Sequence, residues 1–149
     1  MYSENSIIID AKGLILGRMS SSVAKCLLQG ESIIIVNAEQ AAISGKRLQI
    51  VKEAKTFLEV GHPRKGPYHP RRPDMIVRKT IRGMLPYRKA KGRDALKRLR
   101  VYLGAPKEFE GKETKTILEA RAEKLTSPYI TVGDLAKEIG WSPEVEWHV

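Results

Sequence analysis

Two short runs of β-branched residues mark the first third of the chain: Ile7-Ile8-Ile9 and Ile33-Ile34-Ile35-Val36. Every position in them is apolar. That is the pattern of strands covered on both faces, as in a parallel sheet. They predict strands over residues 6–10 and 31–37, with Asp10-Ala-Lys-Gly13 as a turn. Between them the period changes from two to nearly four. Met19, Val23 and Leu27 form one stripe, with Ala24 and Leu28 beside it. This predicts a helix from Gly17 to about Gln29, with Gly30 placed to end it. Ala41, Ala42 and Ile43 read as a short third strand. Ser44 and Gly45 then open a helix to about Val60, with Ile50, Val51, Ala54, Phe57 and Leu58 on its apolar face. Strand, helix, strand, strand, helix is the order of an α/β domain with a mainly parallel sheet.

The pattern breaks at His62. HPRKGPYHPRRP alternates prolines, glycine and basic residues, which fits neither a core strand nor a helix interior. It predicts an extended, exposed arm over His62–Pro73. Helical spacing returns from Asp74 to Leu85, where Val77 and Ile81 share a face with Met84 or Leu85. Arg78 and Arg82 share another face. Pro86 stops this helix. A second short helix is predicted from about Gly92 to Leu99. Ala95, Leu96 and Leu99 face inward there, and Arg93, Lys97 and Arg100 line the other side. Val101–Leu103 reads as a last strand, closed by Gly104-Ala-Pro106. Ile117, Leu118, Arg121 and Leu125 suggest a helix within Lys107–Thr126. The final helix is predicted from Tyr129 onward, on a stripe of Val132, Leu135 and Ile139, with Gly140 ending it. Thr131 caps it, with Asp134 three residues on. The tail beyond carries Glu144, Glu146 and Trp147.

Charge changes the picture. The segment 62–100 holds 14 Lys or Arg against two acids, Asp74 and Asp94, a net +12, whereas the whole chain is +10. The rest of the chain is therefore slightly acidic. A solvated face normally mixes both signs. A one-signed segment on a near-neutral body instead suits a dense line of phosphates, whose counterions it releases. The length, 149 residues at 42% hydrophobic, fits one domain with a real core. An anionic membrane surface is a poor partner, because prolines interrupt the basic segment and no apolar run approaches the ~20 residues of a spanning helix. The N-terminal MYSENS lacks the features of a signal peptide, and the single cysteine, Cys26, excludes an intrachain disulfide. These features predict a cytoplasmic protein.

Catalytic and metal chemistry find little support. Lys46 follows Gly45, yet Gln40 and Arg47 occupy positions that a phosphate loop reserves for Gly and for Ser or Thr. Gly13 and Gly17 flank a strand-to-helix turn without making a dinucleotide fingerprint. That helix start, with Arg18, can still hold a phosphate. His62 and His69 sit in the arm without cysteines or many carboxylates, so phosphate contact, stacking or plain exposure fits them better than a metal. Asp10, Asn37 and Ser44 read as turn and cap residues. Tyr68 and Tyr87 either stack on bases or pack against the body. Two rival readings remain. One is a phosphate-handling α/β enzyme using Asp10 and Lys46. The other is a helix-turn-helix DNA binder built on ITVGDLAKEIGWSP. The second would need a basic recognition helix, where the chain instead offers Pro143-Glu144-Val145-Glu146.

Several stretches together resemble the large-subunit ribosomal protein 13 family in its archaeal and eukaryotic form. They are DAKGLILGR (Asp10–Arg18), VNAE (Val36–Glu39), ISG (Ile43–Gly45), PRKGPYHPRRP (Pro63–Pro73), IRGMLPYRKAKG (Ile81–Gly92) and VYLGAP (Val101–Pro106). The resemblance spans nearly the whole chain in one order, less sharply after Pro106. It implies a three-layer α/β/α domain with a four-stranded, mainly parallel sheet, extended by the basic arm and C-terminal helices. It implies a non-catalytic role without cofactor, metal or small-molecule substrate. The implied partners are large-subunit rRNA and neighbouring ribosomal proteins of that subunit. Resemblance and charge together nominate Arg18, Arg64, Lys65, His69, Arg71, Arg72, Arg78, Lys79, Arg82, Arg88, Lys89, Lys91, Arg93 and Lys97 as RNA contacts.

Overall fold

The computed structural model describes residues 6–143. The isoleucine runs form the centre of the fold. β1 (Ile7–Asp10) and β2 (Ile33–Val36) pair in parallel, and β4 (Leu99–Val101) joins β2 on its other side, also in parallel. Pairing Ile7 with Ile33 and Ile33 with Leu99 puts one set of side chains on each face. Ile9, Ile33, Ile35 and Leu99 enter the main core. Ile8, Ile34 and Val36 form a smaller cluster under Phe109.

The main core is closed by helices. α1 (Leu16–Leu28) buries Met19, Val23, Ala24 and Leu27, as its stripe predicts. It packs on α3 (Pro73–Met84), which buries Pro73, Val77 and Ile81. Pro73 occupies the first turn of α3, where its missing N–H costs nothing. Each buried aliphatic side chain contributes roughly 1.5–3 kcal/mol. α4 (Ala90–Lys97) packs on α1 and runs into β4 after a single residue. Leu99, read as the end of that helix, is therefore a core residue of the strand, and the strand lies over 99–101 rather than 101–103. Immediate re-entry into the sheet allows no longer helix.

The parallel sheet holds these three strands. β3 (Ala42–Ser44) pairs antiparallel with β5 (Tyr129–Thr131) in a separate two-stranded sheet. Nothing in the local pattern of Ala42–Ser44 marks a partner lying more than 80 residues away, since strand pairing is a long-range choice. Beside this small sheet lie α2 (Arg47–Glu59) and α5 (Val132–Glu138). Thr131 caps α5, its hydroxyl accepting from the Asp134 amide at 3.2 Å. α5 is buried against the body by Val132, Leu135 and Ala136. It is the C-terminal helix of the described residues and not the first half of a free DNA-reading pair. α2 rests on it lightly, through Ile50, Val51, Ala54 and Leu58, and no residue of α2 is fully buried. Phe57, read as part of the same stripe, is 59% exposed.

The helix expected within 107–126 is instead three short 3-10 turns, at Lys107–Phe109, Leu118–Ala120 and Ala122–Lys124. Gly111, at φ +76°, breaks the run. Between the short i+3 bonds of these turns, the backbone bonds outward. Lys115 N–H donates to the Ile8 carbonyl, the Ile15 N–H to Ala120, and the Ala122 N–H to Gly13. This segment is a strap that satisfies the free edge of β1 and the loop after it. Residues 144–149, including Glu144, Glu146 and Trp147, lie outside the described residues.

A cationic elbow as candidate nucleic-acid interface

α3, the turn at 85–89 and α4 make an elbow, and the basic arm leads into it. Two close contacts set its angle. Gly92 sits in the first turn of α4 directly against the Pro86 carbonyl, where a Cβ would overlap the backbone. The Lys89 amide donates back to that same Pro86 carbonyl at 2.9 Å. Side chains then brace the turn. Arg93 Nη1 donates to the Arg88 carbonyl at 2.8 Å, and the Arg82 guanidinium lies 4.5 Å from the Tyr87 ring centroid. Tyr87 is thus held by a cation of the protein itself, and 38% of it remains exposed.

The nominated cations divide into two groups. Arg82, Arg88, Lys89, Lys91, Arg93 and Lys97 are exposed on the elbow, and Lys79 is exposed on α3. Arg64, Lys65, Arg71 and Arg72 are exposed along the arm. The two acids do little to offset them. Asp74 pairs with Arg72 at 3.0 Å, and Asp94 lies 3.8 Å from Lys97 in an exposed pair of small energetic weight. Arg18 stands apart on the first turn of α1, exposed, with Nη1 3.4 Å from the Glu119 carbonyl.

Arg78 corrects the expectation that it shares a free face with Arg82. Its side chain is half-buried and donates to the carbonyls of Leu99, at 3.0 Å, and Leu96, at 3.4 Å. Burial pushes this guanidinium down from its ordinary value, and the charge of Arg100 adds to the effect. Arg78 ties α3 to the end of α4 and the start of β4. Arg98 does a parallel job: Nη2 donates to the Leu27 carbonyl at 2.6 Å, at the C-terminus of α1, where a cation is favoured. Spacing cannot separate these arginines from their solvent-facing neighbours. The one hint is that Arg78 lies beside Val77 and three residues before Ile81, at the margin of the apolar stripe.

The arm is less extended than its composition predicts. His62 and Gly66 exchange backbone hydrogen bonds, at 3.0 and 2.8 Å, closing a tight turn. The Tyr68 hydroxyl donates to the Arg64 carbonyl at 2.6 Å, and His62 Nδ1 accepts from the Arg64 amide at 3.2 Å. Only after Pro67 does the chain extend, through half-buried His69, to α3. Local backbone bonds give the turn a fixed shape without a core, and they present Arg64 and Lys65 at its tip.

The residues of the enzyme reading serve the fold. Asp10 Oδ1 accepts from Asn37 Nδ2 and from the Lys12 amide, both at 3.0 Å. Asn37 sits at φ +55°, a conformation Asn tolerates better than most residues. Lys46 precedes α2 on the surface. Cys26 is half-buried on α1. Burial, and then the hydrogen bond and charge of Glu31, push its thiol up, away from the thiolate a nucleophile needs. Among the described residues no helix is long and apolar enough to cross a membrane.

An α/β body that carries its excess positive charge on one braced, exposed elbow and arm defines a class of basic α/β domains. Residues 4–108 match the family model of ribosomal protein L13, and the chain belongs to that family. It is 53% identical over 135 residues to the large ribosomal subunit protein uL13 of Methanosarcina barkeri, covering 89% of this chain and 96% of that one. The protein of the same name from Methanococcoides burtonii is 47% identical over 134 residues, with the same coverage. That of Saccharolobus solfataricus is 44% identical over 143 residues, covering 93% and 95%.

Proposed function

We propose that this chain is a structural constituent of the large ribosomal subunit, which binds and stabilises large-subunit rRNA during assembly and in the mature ribosome. The observation that carries this reading is the cationic elbow, braced by the protein's own contacts, on a chain of the ribosomal protein L13 family. Phosphates of a folded RNA meet Arg82, Arg88, Lys89, Lys91, Arg93 and Lys97 there. The arm residues Arg64, Lys65, His69, Arg71 and Arg72, with Lys79, follow a crevice between RNA helices. Arg18 makes a separate contact at the start of α1, and Arg78 acts indirectly by holding the elbow. A-form RNA hides its major-groove base edges, so recognition by shape fits a rigid elbow and a shaped arm. The protein acts as one domain over 1–149, without turnover, cofactor, small-molecule substrate or membrane. Its other partners are neighbouring large-subunit proteins, and its place is the cytoplasmic ribosome. The four-stranded form of the sheet has support in one bridge, Ile15 to Ala42, which brings β3 beside the chain leaving β1.

Sedimentation of tagged protein through a gradient tests the reading. The protein is expected to travel with large subunits and to shift to the top after nuclease digestion. Protein that stays at the top in both cases contradicts it.

A further inference from the structure

Phe57 leaves its stripe for the mouth of a cleft of about 170 Å³ between α2, α3 and α5. Leu58, Ile76, Leu135 and Ile139 give the cleft an apolar floor. Its far wall is His69 and Pro70, from the basic arm. The Phe57 and His69 rings lie 5.7 Å apart between centroids, tilted by 41°. Lys79 Nζ is 2.7 Å from His69 Nδ1. A lysine only donates, so in this contact Nδ1 accepts and Nε2 carries the N–H. The mouth therefore combines two aromatic rings, one N–H donor and one cation. A second cleft shares Leu58 and His69 with the first and runs beneath the arm, past His62, Tyr68 and Arg71.

Aromatic surface set among cations is the chemistry of an unstacked base whose backbone phosphates run alongside. An apolar anchor from another protein would fill the floor and leave these cations unanswered. The arm belongs to the segment of net charge +12, which favours an anionic chain as occupant. We propose that this cleft is a nucleobase pocket. One unpaired base of the bound RNA stacks on Phe57 above the apolar floor with its edge toward the His69 ring, and its backbone follows Lys79 and Arg71. The proposal rests on the reading of the protein as an RNA binder.

The test uses the full chain and a short single-stranded RNA carrying 4-thiouridine, with binding followed by anisotropy across a salt series. After irradiation, cross-links are expected at Phe57, Tyr68 or His69. Phe57→Ala is expected to lose them and to weaken binding about tenfold. Its log–log salt slope should stay unchanged, because stacking releases no counterions. Phe57→Tyr is expected to restore both. Phe57 is mostly exposed, so these variants should melt as the parent does; His69→Ala, outside the core, gives a second variant with the same expected losses. Normal binding by Phe57→Ala and His69→Ala, or cross-links elsewhere, overturns the pocket while RNA binding by the parent leaves the broader reading standing. A reduced salt slope in Phe57→Ala overturns it too, since it shows a displaced arm and not a lost stack. No binding of this single strand by the parent chain overturns the pocket, while the broader reading stands or falls with sedimentation on large subunits.

Discussion

Replacing Arg82 and Lys91 together with glutamine is expected to reduce the log–log salt slope of rRNA binding by roughly two, and to weaken binding on the order of tenfold near physiological salt. Both side chains are exposed on the elbow, and the one brace they supply, Arg82 over the half-exposed Tyr87 ring, is a surface contact of small energetic weight. If about six cations of the arm and elbow meet phosphates, affinity of the parent chain should fall about a thousandfold between roughly 50 and 200 mM salt. The double variant should lose less over that range and melt at the parent temperature. Arg78→Met should give the opposite signature. It removes two hydrogen bonds from a half-buried cation to the Leu96 and Leu99 carbonyls, a loss of about 2 kcal/mol. For a chain of this size that lowers the midpoint by roughly 4–8 °C, with the salt slope nearly intact. A salt slope that Arg82 and Lys91 do not affect would place the phosphates elsewhere.

Two glycines, nine residues apart, should respond to alanine with opposite signs. Gly83 lies in α3 with no atom near the place of its missing Cβ. Gly83→Ala should stabilise the protein by about 0.5–1 kcal/mol, as alanine does in helix interiors. Gly92 also lies in a helix, and propensity alone predicts the same gain. Its Cβ, however, would overlap the Pro86 carbonyl carbon and oxygen, which are backbone and cannot swing aside. Gly92→Ala should therefore destabilise by about 1–3 kcal/mol. It should also open the elbow and weaken rRNA binding, which Gly83→Ala should not. Thermal melts of the two variants decide this. A stabilised Gly92→Ala protein would mean that the helix crossing is looser than the structure places it.

Where the chain's own periodicity decides the structure, the structure is legible in the sequence. The isoleucine runs at 7–9 and 33–36, the stripe of α1 and the Thr131 cap each depend on neighbours within a few residues. What the sequence hides depends on distant partners. β3 pairs with β5, and the stretch after Lys107 bonds along the edge of β1 instead of coiling into a helix. The candidate interface shows the same division. The cationic segment stands out by composition, yet composition does not reveal that Arg78 and Arg98 turn inward to carbonyl groups. Periodicity alone places Phe57 in the core. It lies outside because α2 rests too shallowly on the cluster of Ile130, Leu135 and Ile139 to cover the whole stripe, and none of its residues is fully buried. Gly92 is similar: its sequence neighbours give no sign of Pro86 pressing on it.

The shaped cationic surface is expected to recognise folded large-subunit rRNA. Competition binding at fixed, near-physiological salt tests it most directly, with three competitors: a folded large-subunit rRNA fragment, the same fragment unfolded, and duplex DNA of similar charge. The folded fragment is expected to compete at least about tenfold better than either of the others, a difference of ~1.4 kcal/mol. Equal competition by all three would reduce the elbow and arm to a nonspecific polycation and contradict the account.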